Sequence, residues 1–135
     1  MQTTVKNSRL LISALWIAQL LLSVTFAWAA YTKLFTPAEE LARMWPWTAE
    51  NPVLVKLTGI VDLLAAAGLI LPSIFKVQLR LVVFAAIGTI VLMAAASIFH
   101  ISRGEASLIG INIVCAAIAA FIVWGRTRLS TRIIS

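Results

Sequence analysis

Four long apolar runs set the terms for this chain. They extend from about Leu10 to Thr32, Pro52 to Leu71, Leu79 to Ile101, and Ala106 to Gly125. About 20 mostly apolar residues in a helix cross the ~30 Å hydrocarbon core of a bilayer. A soluble domain of 135 residues could not hide an apolar fraction of 61%, well above the roughly 45–50% usual for globular chains. Lipid removes that difficulty. Helices are expected because hydrocarbon cannot satisfy open backbone groups, and no run shows the alternation of a barrel strand. The expected fold class is therefore all-α, an integral membrane four-helix bundle with the bilayer as its first partner. One transmembrane domain is expected over residues 1–135.

The boundaries carry local chemistry. Asn51-Pro52 reads as an N-cap with proline in the first turn of span two. Pro72 is expected to stop that span, and Ser102-Arg103-Gly104 to turn span three tightly into span four. Between spans one and two lies the one long loop, where Thr36-Pro37-Ala38-Glu39 reads as a capping box opening a short interfacial helix. Leu41, Met44 and Trp45 suit the membrane surface, Pro46 ends the run, and Trp47 is a second anchor. This segment is either an interfacial brace or a lid over a site. Lys6, Arg9, the first run and Ala27-Trp28-Ala29 imitate a secretory leader. The run is longer than a usual leader and continues to Tyr31, so a retained span is expected.

Charge sets the orientation. The net charge is +6, but the basic residues flank the runs instead of forming a patch, which argues against nucleic acid. One side holds Lys6, Arg9, Lys76, Arg80, Arg126, Arg128 and Arg132 without an acid. The other holds Lys33, Arg43, Lys56 and Arg103 beside Glu39, Glu40, Glu50 and Glu105. The first side is expected to be cytoplasmic, with both termini inside. The lone Cys115 leaves no intramolecular disulfide and no CxxC motif. A single His cannot hold a haem between two histidines, and no cluster suggests a metal. No nucleophile with its base is visible, so the chain is not expected to be an enzyme on its own.

Polar residues inside the runs are the most informative. Asp62, about halfway along span two, costs roughly 2.5–3.5 kcal/mol at a helix centre on insertion scales. Its neighbours Thr58, Gly59, Ala65 and Ala66 make a small-residue face that a second helix can approach closely. Stripes at helical spacing match it elsewhere: Gln19, Ser23, Ala30 and Lys33 in span one; Thr89, Met93, Ser97 and His100 in span three; Glu105, Asn112 and either Cys115 or Ala116 in span four. The candidate residues are Lys33, Asp62, His100, Glu105, Gln19 and Asn112. They are expected to meet in a polar interior open to the outer face, where Asp62 is either a packing lock, protonated or paired with Lys33 or Lys56, or a ligand or proton site.

Several segments are similar to the DoxX-like family of small four-span bacterial membrane proteins. They are Ala29-Ala30-Tyr31-Thr32-Lys33-Leu34, then Leu57 through Leu64 and Gly68 through Pro72, then Phe99 through Glu105, and finally Trp124-Gly125-Arg126. Asp62 departs from this pattern, in which Glu is expected more often. The resemblance implies a bacterial inner-membrane protein tied to respiratory or thiol redox systems. Three functions remain in play: an accessory subunit of a redox-linked complex that contacts quinone or an oxidoreductase subunit, a scaffold or assembly factor, and a small proton-coupled transporter. The transporter would form a homo-oligomer through faces such as Ala116-xxx-Ala120.

Overall fold

The computed structural model describes residues 2–134, with side-chain surroundings for residues 6–130; the side chain of Arg132, used in the charge balance above, lies outside that range. Five α-helices follow in order: α1 (Gln2–Phe35), α2 (Ala38–Met44), α3 (Pro52–Phe75), α4 (Arg80–Ser102) and α5 (Gly110–Ile134). Short 3-10 turns occupy Pro46–Ala49 and Ala106–Leu108. Segments of α1, α3, α4 and α5 are long and apolar enough to cross a membrane: Lys6–Phe35, Pro52–Phe75, Arg80–Ser102 and Gly110–Ser130. The molecule is an all-α membrane bundle with a short helix between its first two spans. For orientation, the loop end carries α2, and the terminal end carries the two chain termini.

The four spans form a ring in which α1 packs on α3, α3 on α4, α4 on α5, and α5 back on α1. Leu15, Leu22, Leu69, Val82 and Ile122 fill its centre. Ala18, Ala66, Ala86 and Ala119 are buried between them and let the helices close. Large apolar side chains also cover the outside: Ile17, Leu21, Val24, Leu64, Phe84, Val91 and Ile98 are all exposed. A helix that is apolar all round needs an apolar surrounding, and here lipid supplies it.

Local chemistry departs from the sequence-based expectation at four places. Pro72 does not stop the second span: α3 runs through it to Phe75. A proline costs one helical hydrogen bond, and membrane helices tolerate that loss when neighbours pack around the break. The true stop is Lys76, in left-handed geometry (φ 54°), whose N–H and that of Val77 both turn back to the Pro72 carbonyl. The capping box does not form, because Pro37 takes the N-cap position of α2 and no side chain caps it. Asn51 does sit at the N-cap of α3, but its Nδ2 donates to the Trp47 carbonyl and not to the helix. The last span starts at Gly110, after a 3-10 turn, and not at Ala106. The α4–α5 connection is thus longer than a tight hairpin, with Gly104 at φ 76° supplying its one left-handed turn.

Candidate functional site

At the loop end, α1 and α3 approach until side chains touch across them. Gly59 makes this approach feasible, since a Cβ there would sit 3.1 Å from Lys33 Cβ and from Leu34 Cγ. One turn further along α3, Asp62 faces Lys33. Lys33 Nζ donates to Asp62 Oδ2 at 2.7 Å, with 14% of the Lys33 side chain and 4% of the Asp62 side chain exposed. Lys56 turns outward instead and donates to the Leu34 carbonyl at 3.0 Å. Asp62 therefore points into the bundle, as its small-residue face requires, and a cation meets it there.

Trp47 lies over this pair. Its ring centre is 5.9 Å from Lys33 Nζ, within cation–π range. The same indole meets Phe99 edge-on at 5.7 Å and His100 at 6.4 Å. Trp47 thus bridges the end of α1 to the end of α4. It is half-buried, on the turn that Pro46 opens, and the segment is moored at both sides. Before it, Leu41 is buried and Trp45 packs edge-on against Trp28 at 5.7 Å. After it, Glu50 accepts from Arg103 Nη1 at 3.0 Å.

Arg103 belongs to a second charged group. The turn after α4 is closed by the Glu105 N–H donating to the His100 carbonyl at 2.8 Å. That turn brings Glu105 Oε2 to 2.8 Å from His100 Nδ1 and Oε1 to 3.1 Å from Arg103 Nε. Hydrogen bonding from His100 first, and from Arg103 after it, holds the Glu105 carboxyl below the ordinary Glu range. Glu50, then Glu105, hold the Arg103 guanidinium above its ordinary value. One arginine thereby ties the loop after α2 to the loop after α4.

The remaining candidates lie elsewhere. Gln19 is fully buried toward the terminal end, seven residues of α3 away from Asp62, or about 10 Å of helix. Its Nε2 donates to the Leu69 carbonyl at 2.6 Å and to Ser73 Oγ at 2.9 Å. Arg126 Nε donates to Gln19 Oε1 at 2.7 Å, and its guanidinium lies 5.9 Å from the Trp16 ring. Between the two groups, Ser23 donates to the Ala66 carbonyl at 2.8 Å. Thr89 and Ser97 turn back onto their own helix, on Ala85 and Met93. Asn112 is buried, and its Nδ2 meets no hydrogen-bond partner among the described residues. The polar side chains thus form two groups joined along the α1–α3 seam, not one open interior. Among the described residues no set of three His, Cys, Asp or Glu side chains could hold a metal.

A family model described as the DoxX-like family matches residues 17–122. The chain belongs to the DoxX-like family. No curated protein and no solved structure matches it in sequence or shape comparison. The matched stretch of this DoxX-like protein contains Gln19, Lys33, Trp47, Asp62, His100, Glu105 and Asn112, whereas Arg126 and Arg128 follow it. Two partners were not singled out as site residues from sequence. Arg126 counted as a flanking charge, although it continues the stripe of Cys115, Ala119 and Ile122 at helical spacing, and that spacing is the signal that finds it; the first three are buried and Arg126 is half-buried. Trp47 counted as an anchor, and no periodicity in its irregular segment could have aimed it at Lys33.

Proposed function

We propose that this DoxX-like protein is an accessory subunit of a redox-linked membrane complex, and that its loop-end cluster receives the head of a quinone. The observation behind this reading is that Lys33 and His100 flank the single indole of Trp47 with donor capacity to spare. An ammonium has three N–H groups and an imidazole two nitrogens. Lys33 spends one N–H on Asp62, and His100 meets Glu105 through Nδ1. A quinone head is flat, of a size with an indole, and carries carbonyl acceptors at opposite edges. Displacing Trp47 would let Lys33 Nζ donate to one of those carbonyls and let His100, in its imidazolium form with Nδ1–H on Glu105, donate from Nε2 to the other, with Phe99 against the ring. When bound, the quinone supplies two-electron redox chemistry; this chain supplies hydrogen-bond donors, the Asp62 counter-charge and a surface for the catalytic partner. The excess of Lys and Arg at the terminal end supports a bacterial inner membrane with both termini cytoplasmic. The cluster would then lie on the periplasmic side of a single membrane domain.

The test is purification from native membranes, with extracted quinone and co-purifying oxidoreductase measured for the wild type, Trp47→Ala and Lys33→Met. Quinone present in the wild type and lost in Lys33→Met is expected. Neither quinone nor oxidoreductase, together with unchanged respiratory activity on deletion, would remove the proposal. One observation favours a second reading, a scaffold without ligand: each charged group of the cluster already meets an opposite charge. A scaffold predicts that His100→Ala changes only thermal stability.

A further inference from the structure

A groove opens on the seam between α1 and α5. It encloses about 330 Å³ and is lined by Ala14, Ala18 and Leu21 of α1 and by Ala117, Ile118 and Phe121 of α5, with Ile17 at its edge. This volume is at the small end of the roughly 300–1,000 Å³ of pockets that hold small molecules. From Ala14 to Leu21 it follows α1 for about 10 Å, most of the ~15 Å depth of one leaflet's hydrocarbon. Its walls are almost wholly apolar.

The groove face of α5 continues toward the terminal end. Ala117, Phe121, Trp124 and Arg128 share one side at helical spacing. The Phe121 and Trp124 rings lie 6.1 Å apart and tilted 30°, and the Arg128 guanidinium sits 5.4 Å from the Trp124 ring. Trp124 and Arg128 are both exposed. An indole followed by a guanidinium is the sequence of groups that meets a bilayer's interface and then its phosphates. Lys6, Arg9, Lys76, Arg80 and Arg126 share that end of the bundle, and no Asp or Glu accompanies them.

We infer that the α1–α5 seam is a binding site for one anionic phospholipid of the leaflet at the terminal end. One acyl chain fills the groove beside Ala18 and Ala117. The glycerol region lies at Trp124, and the phosphate and its anionic headgroup lie at Arg128. The choice of a lipid rests on the match of groove length to a single leaflet. The choice of an anionic one rests on a cationic end without acids. This site is separate from the Lys33–Asp62 cluster and stands or falls independently of the quinone proposal.

Native mass spectrometry of the delipidated full chain, titrated with phosphatidylglycerol or phosphatidylcholine of identical acyl chains, tests it. One basic residue near an anionic surface supplies a factor of about five in affinity. Phosphatidylglycerol should therefore bind about fivefold more tightly, Arg128→Gln should erase most of that preference, and Ala117→Phe should weaken both lipids. Ala117 and Arg128 are exposed, so both variants should fold, and their melting in detergent is measured alongside. Equal affinity of the wild type for the two lipids would overturn the inference, as would an unchanged preference in Arg128→Gln. A dimer that Ala117→Phe dissociates while leaving lipid binding intact would assign the groove to a second copy of the chain, and so overturn it also.

Discussion

Replacing Lys33 with Met should destabilise the bundle more than replacing Asp62 with Asn, and both changes together should cost less than either alone. The pair is 2.7 Å apart, with side-chain exposures of 14% for Lys33 and 4% for Asp62. Removing one partner of a buried ion pair leaves an uncompensated charge, at a cost of about 3–5 kcal/mol. In Asp62→Asn the charge left behind is Lys33, whose long stem can carry its head toward the interface, so the loss should be near 3 kcal/mol. In Lys33→Met the charge left behind is the deeper carboxylate, which has no such stem and must take up a proton, and the loss should be near 4 kcal/mol at about pH 7. The double variant holds no charge, only a buried amide short of a partner, for about 2 kcal/mol. Reversible unfolding in mixed micelles by titration with a denaturing detergent gives the four free energies of the cycle. Additive losses, or a double variant less stable than both singles, would refute the claim that these residues act as one neutralised unit.

Further perturbations probe other parts of the bundle. Gly125→Ala should destabilise despite better helix propensity. The new Cβ would fall 2.5 and 2.9 Å from the two methyls of Leu15 and 3.1 Å from its Cγ; overpacking costs about 1–3 kcal/mol against roughly 1 kcal/mol gained from propensity. Leu15→Ala added to Gly125→Ala should relieve the clash, and thermal melts of the three variants check this. Arg103→Ala should speed amide exchange over residues 46–51 while leaving the global thermal melt little changed, because exposed ion pairs contribute little to stability. Acid should release the contacts that Glu105 makes with His100 and Arg103. Because the Glu105 carboxyl is held below its ordinary value, its contribution is complete above about pH 4.3 and is lost as pH falls through the lowered folded value. Followed by NMR in detergent, the Glu105 side-chain carboxyl carbon should titrate with its midpoint below that point; a midpoint at or above it would contradict the assignment.

The four crossings and the short helix after the first were legible because their signals are long or periodic. A 20-residue apolar run leaves the chain few choices in or out of lipid. The inward aim of Asp62 was also legible, since its neighbours on α3 are small and a carboxylate has no partner among acyl chains. Other features depended on distances that no one-dimensional pattern carries. Gln19 shares a helical face with Lys33, yet fourteen residues of rise separate them, and a shared stripe says nothing about shared depth. Arg126 looked like a flank because it follows the last apolar residue; only the approach of α5 to Gln19 shows it entering the bundle. Pro72 fails as a stop signal because the penalty learned from water-soluble helices is offset where neighbouring helices pack tightly. The capping box fails because Pro37 takes the N-cap position in place of Thr36.

The buried pair also bears on how the chain is made. Lys33 leaves the ribosome before Asp62, so the anion of α3 meets its cation already waiting at the end of α1. An Asp entering lipid alone would oppose partitioning by roughly 3 kcal/mol; handed to Lys33, it enters as half of a neutral hairpin. Biogenesis should therefore proceed by joint release of α1 and α3 from the insertion machinery. A nascent chain truncated before Asp62 would keep Lys33 at the water boundary, with its first helix waiting for the second.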